Sequence, residues 1–188
     1  MIYRPIVIDE EIKFSKKKFI ISKTDIKGKI IFINKNFSDI SGYEEDELIG
    51  APHNVVRHPD MPRAIFYLVW KSLLSGRPIS GVIKNLAKDG RYYWVIADLE
   101  PKFDRDGNII ALTAFRRAAP QDVIDTVDDL YTTMLAIEKK HGMEKSVAYL
   151  QGFLEEHEMT YDYFIQELIK PKGIIATLLE AFKKMFGN

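Results

Sequence analysis

At 188 residues the chain is long enough for one sizeable domain with an appendage, and 46% hydrophobic with 29% charged residues is the balance of a folded protein rather than a disordered one. Its 27 Lys and Arg match its 27 Asp and Glu, so no net field draws it toward nucleic acid or an anionic membrane. The absence of cysteine excludes disulfides, thiolate metal sites and cysteine nucleophiles, and it suits a reducing compartment.

Met1 to Lys18 mixes Asp9, Glu10 and Glu11 with apolar residues and reads as a lead-in without the apolar core of a signal peptide. No window reaches the 18 or so apolar residues of a membrane helix, so no transmembrane segment is expected. Two β-branched runs, Phe19 to Ser22 and Lys29 to Ile33, flank Asp25-Ile26-Lys27-Gly28 and predict a hairpin. Helical segments follow in Asn34 to Gly50 and in Met61 to Gly76, where Ala64, Ile65, Leu68, Val69, Leu73 and Leu74 recur at helical spacing.

Strands are predicted at Ser80 to Ala87, Tyr92 to Phe103 and Ile109 to Phe115, with Asp-Gly turns at Asp89-Gly90 and Asp106-Gly107. The order β-β-α-α-β-β-β gives an α+β fold, a five-stranded antiparallel sheet with helices on one face. Beyond Pro120 the pattern turns helical: Asp122 to His141, Met143 to Lys170 and Gly173 to Phe186. In the first of these, Val123, Val127, Leu130, Met134 and Ile137 make one apolar stripe. The predicted organisation is a lead-in at 1–18, an α+β domain at 19–118 and a C-terminal helical region at 119–188.

The segment Pro52-His53-Asn54-Val55-Val56-Arg57-His58-Pro59-Asp60-Met61-Pro62 sets two His, an Arg and an Asp among three prolines. Proline fixes φ and lowers the entropy lost on ordering, so such a loop can hold polar groups in place. Arg57 and His58 can donate to phosphate, and Asp60 can orient them or bond a ribose hydroxyl. Asn85, inside a predicted strand, needs a partner if it faces inward, because asparagine is depleted in strands.

Together with Asn34-Lys35-Asn36-Phe37, Ser41-Gly42-Tyr43, Glu47-Leu48-Ile49-Gly50, Trp70, Lys84-Asn85 and Lys88-Asp89-Gly90, this segment resembles the PAS domain of bacterial aerotaxis (energy-taxis) receptors over about half of the chain. The resemblance implies noncovalent FAD whose redox state follows respiratory electron flow. It implies FAD-holding roles for Arg57, His58 and Asp60, an Asn85 amide facing the flavin ring, an indole lining at Trp70 and a polar pocket position at Asn34. An Asn amide suits the flavin edge because both display a donor and an acceptor.

That family continues into membrane-spanning, HAMP and methyl-accepting segments, which this sequence lacks. The expectation is therefore a cytoplasmic homodimer that signals to a separate membrane-bound chemoreceptor or transducer and sits at the inner face of the membrane only through that partner. Two other readings stand beside it: a haem-binding gas sensor with His53 or His58 as axial ligand, and a cofactor-free dimerisation module. His53 is otherwise assigned a structural role, and His141 and His157 an exposed one. An enzyme is not expected: no nucleophile and base pair, Gly-rich phosphate loop or His-Glu-x-x-His cluster is present. Gly173 to Phe186 is amphipathic and is assigned either to packing on its own domain or to a partner helix or membrane surface.

Overall fold

Asp25 builds the first hairpin: its carboxylate accepts from the backbone N–H groups of Lys27 and Lys29 at 2.8 and 2.9 Å, and Gly28 takes the left-handed φ of 82° that the turn needs. This joins β1 (Ile20–Thr24) to β2 (Ile30–Ile33) in the computed structural model, which describes residues 4–170. The predicted helix at Gly173 to Phe186 lies outside the described residues. Among the described residues, 4–61 with Tyr67–Ala119 form one compact unit, and Pro62–Phe66 with 120–170 form a second.

In the first unit the helical pattern of Asn34 to Gly50 resolves into α1 (Lys35–Ser41) and α2 (Glu45–Leu48), separated at Gly42, whose φ is 73°. Each has its own start. The Asn34 side chain caps α1, and Glu44 with Glu47 forms a capping box on α2. A single 3-10 turn at His53–Val56 leads to α3 (Arg63–Leu74). The sheet is completed by β3 (Ile79–Leu86), β4 (Tyr92–Phe103) and β5 (Ile109–Ala118), all antiparallel in the order β2-β1-β5-β4-β3. The five predicted strands are present, but β5 runs three residues past Phe115 and takes Arg116 into the sheet.

The loop after α2 shows how far this sheet is curved. The N–H of His53 donates to the carbonyl of Gly28 at 2.9 Å, and Lys29 bridges Pro52, both beside β2. Arg57, five residues after Pro52, bridges Asn85 on β3. Those strands are the two edges of the sheet, four spacings or about 19 Å apart if it were flat. Five residues reach about 18 Å only when fully extended, and four of them here form a 3-10 turn. The sheet therefore curls, its edges approach each other, and the loop closes the gap over its concave face.

A strap from the lead-in runs along the start of β4. Ile8 N–H donates to Gly90 O and Ile12 N–H to Tyr92 O, both at 2.7 Å, while Tyr92 N–H returns a bond to Glu10 O at 3.0 Å. Arg91 adds an ion pair to Glu10 at 3.4 Å, and Phe14 meets the Tyr93 ring edge-on.

In the second unit α4 (Gln121–His141) buries Val123, Val127, Leu130 and Met134 of the predicted stripe, leaves Ile137 half-buried, and adds Tyr131 and Ile124. The stretch Met143 to Lys170 is not one helix but two, α5 (Met143–Glu156) and α6 (Tyr161–Ile169). Neither Gly nor Pro marks the break. Glu158 adopts φ 52°, and the Thr160 side chain accepts from Tyr163 N–H at 3.2 Å and starts α6 as a cap. Leu150, Leu154, Phe164, Ile165 and Leu168 complete the core of this unit.

Candidate functional site

Strand register decides which side chains share the concave face. Ile20, Arg116, Ala97 and Gly81 lie in one cross-strand row. Alternation then puts Ser22 on the face of Ile20, Tyr93 on that of Ala97 and Asn85 on that of Gly81. Phe37 of α1 and His53 of the 3-10 turn contact the Arg116 group, which identifies this as the side the helices cover.

Asn85 is 4% exposed, and its side-chain amide has no hydrogen-bond partner among the described residues. Tyr93 lies directly opposite in register, wholly buried, and burial raises its phenol above the usual range. An inward-facing strand amide without a protein partner must be met by solvent or by a ligand, and leaving it unmet costs about 1–3 kcal/mol.

The second feature was not legible to the strand reading that stopped at Phe115. Arg116 is 4% exposed and donates to Ser22 Oγ at 2.9 Å and to His53 Nε2 at 2.9 Å; Ser22 Oγ also lies 3.2 Å from that nitrogen. The guanidinium is 5.9 Å from the Phe37 ring centroid. No carboxylate faces it among the described residues, and burial pulls its pKa down to about 10, so it is still charged at neutral pH. His53 must accept from it and is therefore neutral, with its pKa pushed down to about 3 by burial and then by the adjacent Arg116 charge. A buried cation without an anion is a costly arrangement, and charge-bearing sites of this kind are where ligands supply the missing partner. The clue available in the sequence was the continued alternation Leu112, Ala114, Arg116, Ala118.

The Arg57–Asp60 loop is organised largely by itself. Arg57 donates through a guanidinium nitrogen to Met61 O at 2.8 Å. His58 is buried, its Nδ1 accepts from Asp60 N–H at 3.2 Å, and its ring meets Tyr92 edge-on. Burial first and Lys84 second hold the imidazole down to about 4, against the opposing pull of Asp60 and Asp9. His58 is thus a neutral ring whose Nε2 has no partner among the described residues. Asp60 is exposed and pairs with Lys84 at 3.4 Å, whose ammonium stands 4.2 Å over the Tyr92 ring. The loop therefore presents Asp60 outward, against the largely buried Lys84 of β3, and turns His58 inward.

Both histidines are neutral in the fold, with pKa values below the 6.5 of an unfolded chain, so below pH 6.5 the unfolded state binds protons that the folded state refuses. Stability is complete above pH 6.5 and declines as pH falls toward about 4, with a slope of up to about 1.4 kcal/mol per pH unit for each histidine. Urea midpoints measured between pH 7.5 and 4.5 check this; His53→Gln should flatten the profile.

Asn34 and Trp70 sit differently from Asn85. Asn34 Oδ1 accepts from Ile21 and Phe37 N–H, and its Nδ2 donates to Phe19 O at 2.8 Å, so this amide ties β1 to α1. It also borders an open groove of about 610 Å³ with Lys35, Asp39, Glu44 and Glu45. Those carboxylates disfavour a phosphate-bearing ligand there. Trp70, half-buried on α3, lays its indole against the hairpin turn; a Cβ on Gly28 would come within 3.1 Å of it. The six predicted residues thus divide: Asn85 faces the concave interior, Arg57, His58 and Asp60 line its closing loop, Trp70 braces the turn at β2, and Asn34 serves as a cap.

Comparison with known proteins agrees with this architecture. Residues 30–116 match the family model described as the PAS fold. Over 150 residues, 80% of this chain, the sequence is 36% identical to the aerotaxis receptor of Escherichia coli K12, of which it spans 29%. Over 106 residues it is 31% identical to the bacterioopsin transcriptional activator of Halobacterium salinarum, covering 53% of this chain and 16% of that one. Among solved structures, a light-oxygen-voltage domain studied with a flavin analogue superposes with a TM-score of 0.52 at 22% identity, over 58% of this chain and 82% of that chain. The chain spans less than a third of either curated relative, and both the family match and the five-stranded architecture identify residues 30–116 as a PAS domain, related to that of the aerotaxis receptors.

Proposed function

We propose that the PAS domain binds FAD noncovalently against its concave sheet face and reports the redox state of that flavin to a separate chemotaxis transducer. The observation that carries this reading is the pairing of an unmet amide, Asn85, with an uncompensated cation, Arg116, on one buried face. The residues fit the group: a flavin ring is flat and apolar with a polar edge of donors and acceptors, and a buried asparagine supplies both kinds of contact. Ala97 and Gly81 between them leave that stretch of the face without bulky side chains.

A bound flavin would supply reversible electron transfer, and the protein sets its potential through hydrogen bonds and nearby charge. Asn85 orients the polar edge. Arg116 favours electron uptake, because added negative charge on a ligand close to a fixed buried cation is stabilised where the dielectric is low. Neutral His53 and Ser22 hold the guanidinium in place. The exposed Asp60, held by the largely buried Lys84, belongs to the rim, where its carboxylate can accept from a ribose hydroxyl of FAD. The helical region serves as output or dimerisation surface. No helix among the described residues is long and apolar enough to cross a membrane.

The visible spectrum of the purified protein tests the reading, with chromatography of the cofactor released by heat. A structured blue absorption band bleached by dithionite, with FAD in the supernatant, is the expected result. A Soret band would move the assignment to haem, and a colourless protein that takes up no added FAD would leave only the interaction module. Asn85→Ala is expected to weaken FAD retention about tenfold without lowering the unfolding midpoint of the apoprotein, measured by equilibrium dialysis and urea unfolding.

A further inference from the structure

Helix α3 has no cap of its own: the residue before its first is Pro62, which carries no side-chain acceptor. The cap comes from 75 residues away, where Glu138 of α4 accepts from Arg63 N–H at 2.9 Å through one carboxylate oxygen and from Ala64 N–H at 2.7 Å through the other. Pro62–Phe66 belong to the same compact unit as α4, so this bidentate bond lies wholly inside the second unit, while α3 continues as one helix into the first. A carboxylate at a helix N-terminus meets both orphan N–H groups and the positive end of the helix dipole. It is a charge-assisted, directional contact of the stronger kind.

Position makes this more than a cap. Pro62 directly follows Met61, whose carbonyl receives the Arg57 guanidinium and whose N–H donates to His58 O. The sulfur of Met61 accepts from Lys84 N–H, next to Asn85. Any displacement of the closing loop therefore passes along two residues of backbone to the start of α3, and there the rigid bidentate contact hands it to α4.

Resting on the flavin reading above, we propose that Glu138 is the positioning residue that couples the closing loop of the PAS domain to α4 and so carries the redox signal into the helical region. Hydrogen exchange followed by mass spectrometry on the full chain loaded with FAD, oxidised and dithionite-reduced, tests it in wild type, Glu138→Ala and Glu138→Gln. In wild type, reduction is expected to change exchange both at 57–66 and along 121–141. In Glu138→Ala the flavin spectrum and the change at 57–61 persist, the Arg63 and Ala64 amides exchange about tenfold faster, and the redox difference along 121–141 disappears. Glu138→Gln, which keeps an acceptor and loses the charge, retains part of it and serves as the variant if alanine does not fold. An undiminished redox difference along 121–141 in Glu138→Ala overturns the coupling while the flavin reading stands. A wild type that takes up no FAD overturns the flavin reading and the coupling with it.

Discussion

Replacing Arg116 with methionine is expected to leave the ligand-free protein more stable, by about 1–4 kcal/mol, and at the same time to weaken FAD retention at least tenfold and make the bound flavin harder to reduce. The two effects have opposite signs because they come from one feature. In the ligand-free fold the guanidinium is desolvated with only Ser22, His53 and the Phe37 ring for company, and none of them is an anion. Methionine has similar length, removes the buried charge and leaves Ser22 and His53 to bond each other across the 3.2 Å that already separates them. A structural arginine would behave in the reverse manner: its loss would lower the denaturation midpoint and leave cofactor affinity intact. Urea unfolding of the apoprotein, dialysis against FAD and a spectroscopic redox titration measure all three consequences. A destabilised variant with normal FAD affinity would remove Arg116 from the site.

The same residue shows where sequence reading stops. The strands, the hairpin at Asp25 and the α4 stripe were legible because each is a local pattern, alternation or helical spacing, written in consecutive residues. Asn85 was legible too, as a polar residue inside an apolar strand. Arg116 was not, because Phe115-Arg116-Arg117 reads as the polar end of a strand until register with Ile20 and Ala97 shows that Arg116 points inward. His58 illustrates the converse. Its place in a dense polar loop suggests an open donor, whereas the fold buries it and leaves it neutral. Curvature of the sheet and the Glu138 contact depend on residues tens of positions apart. The break at Thr160 uses a cap in a stretch where no Gly or Pro announces it.

Gly90→Val is expected to detach the lead-in strap, lowering stability by about 3 kcal/mol and opening 6–12 to proteolysis. Gly90 combines two constraints that are separately unfavourable for any other residue. Its φ is 94°, which a β-branched side chain adopts only under strain of the order of 1–3 kcal/mol. A Cβ there would also stand 2.1 Å from the carbonyl oxygen of Ile6, a contact with backbone that no side-chain rearrangement relieves. Either the strap or the Ala87–Arg91 turn must move, and the strap is held by far fewer bonds: three backbone hydrogen bonds and the Arg91–Glu10 pair, against the continuous ladder of β3 and β4. Release of the strap also withdraws Phe14 from the Tyr93 ring and Asp9 from the surroundings of His58, so solvent gains access to the Asn85 end of the concave face. Limited trypsin digestion, with Lys13 as the reporting site, distinguishes the outcomes. Faster cleavage at Lys13 with the PAS core intact is the expected pattern, and a wild-type digestion profile would show that the strap does not depend on its seat at Gly90.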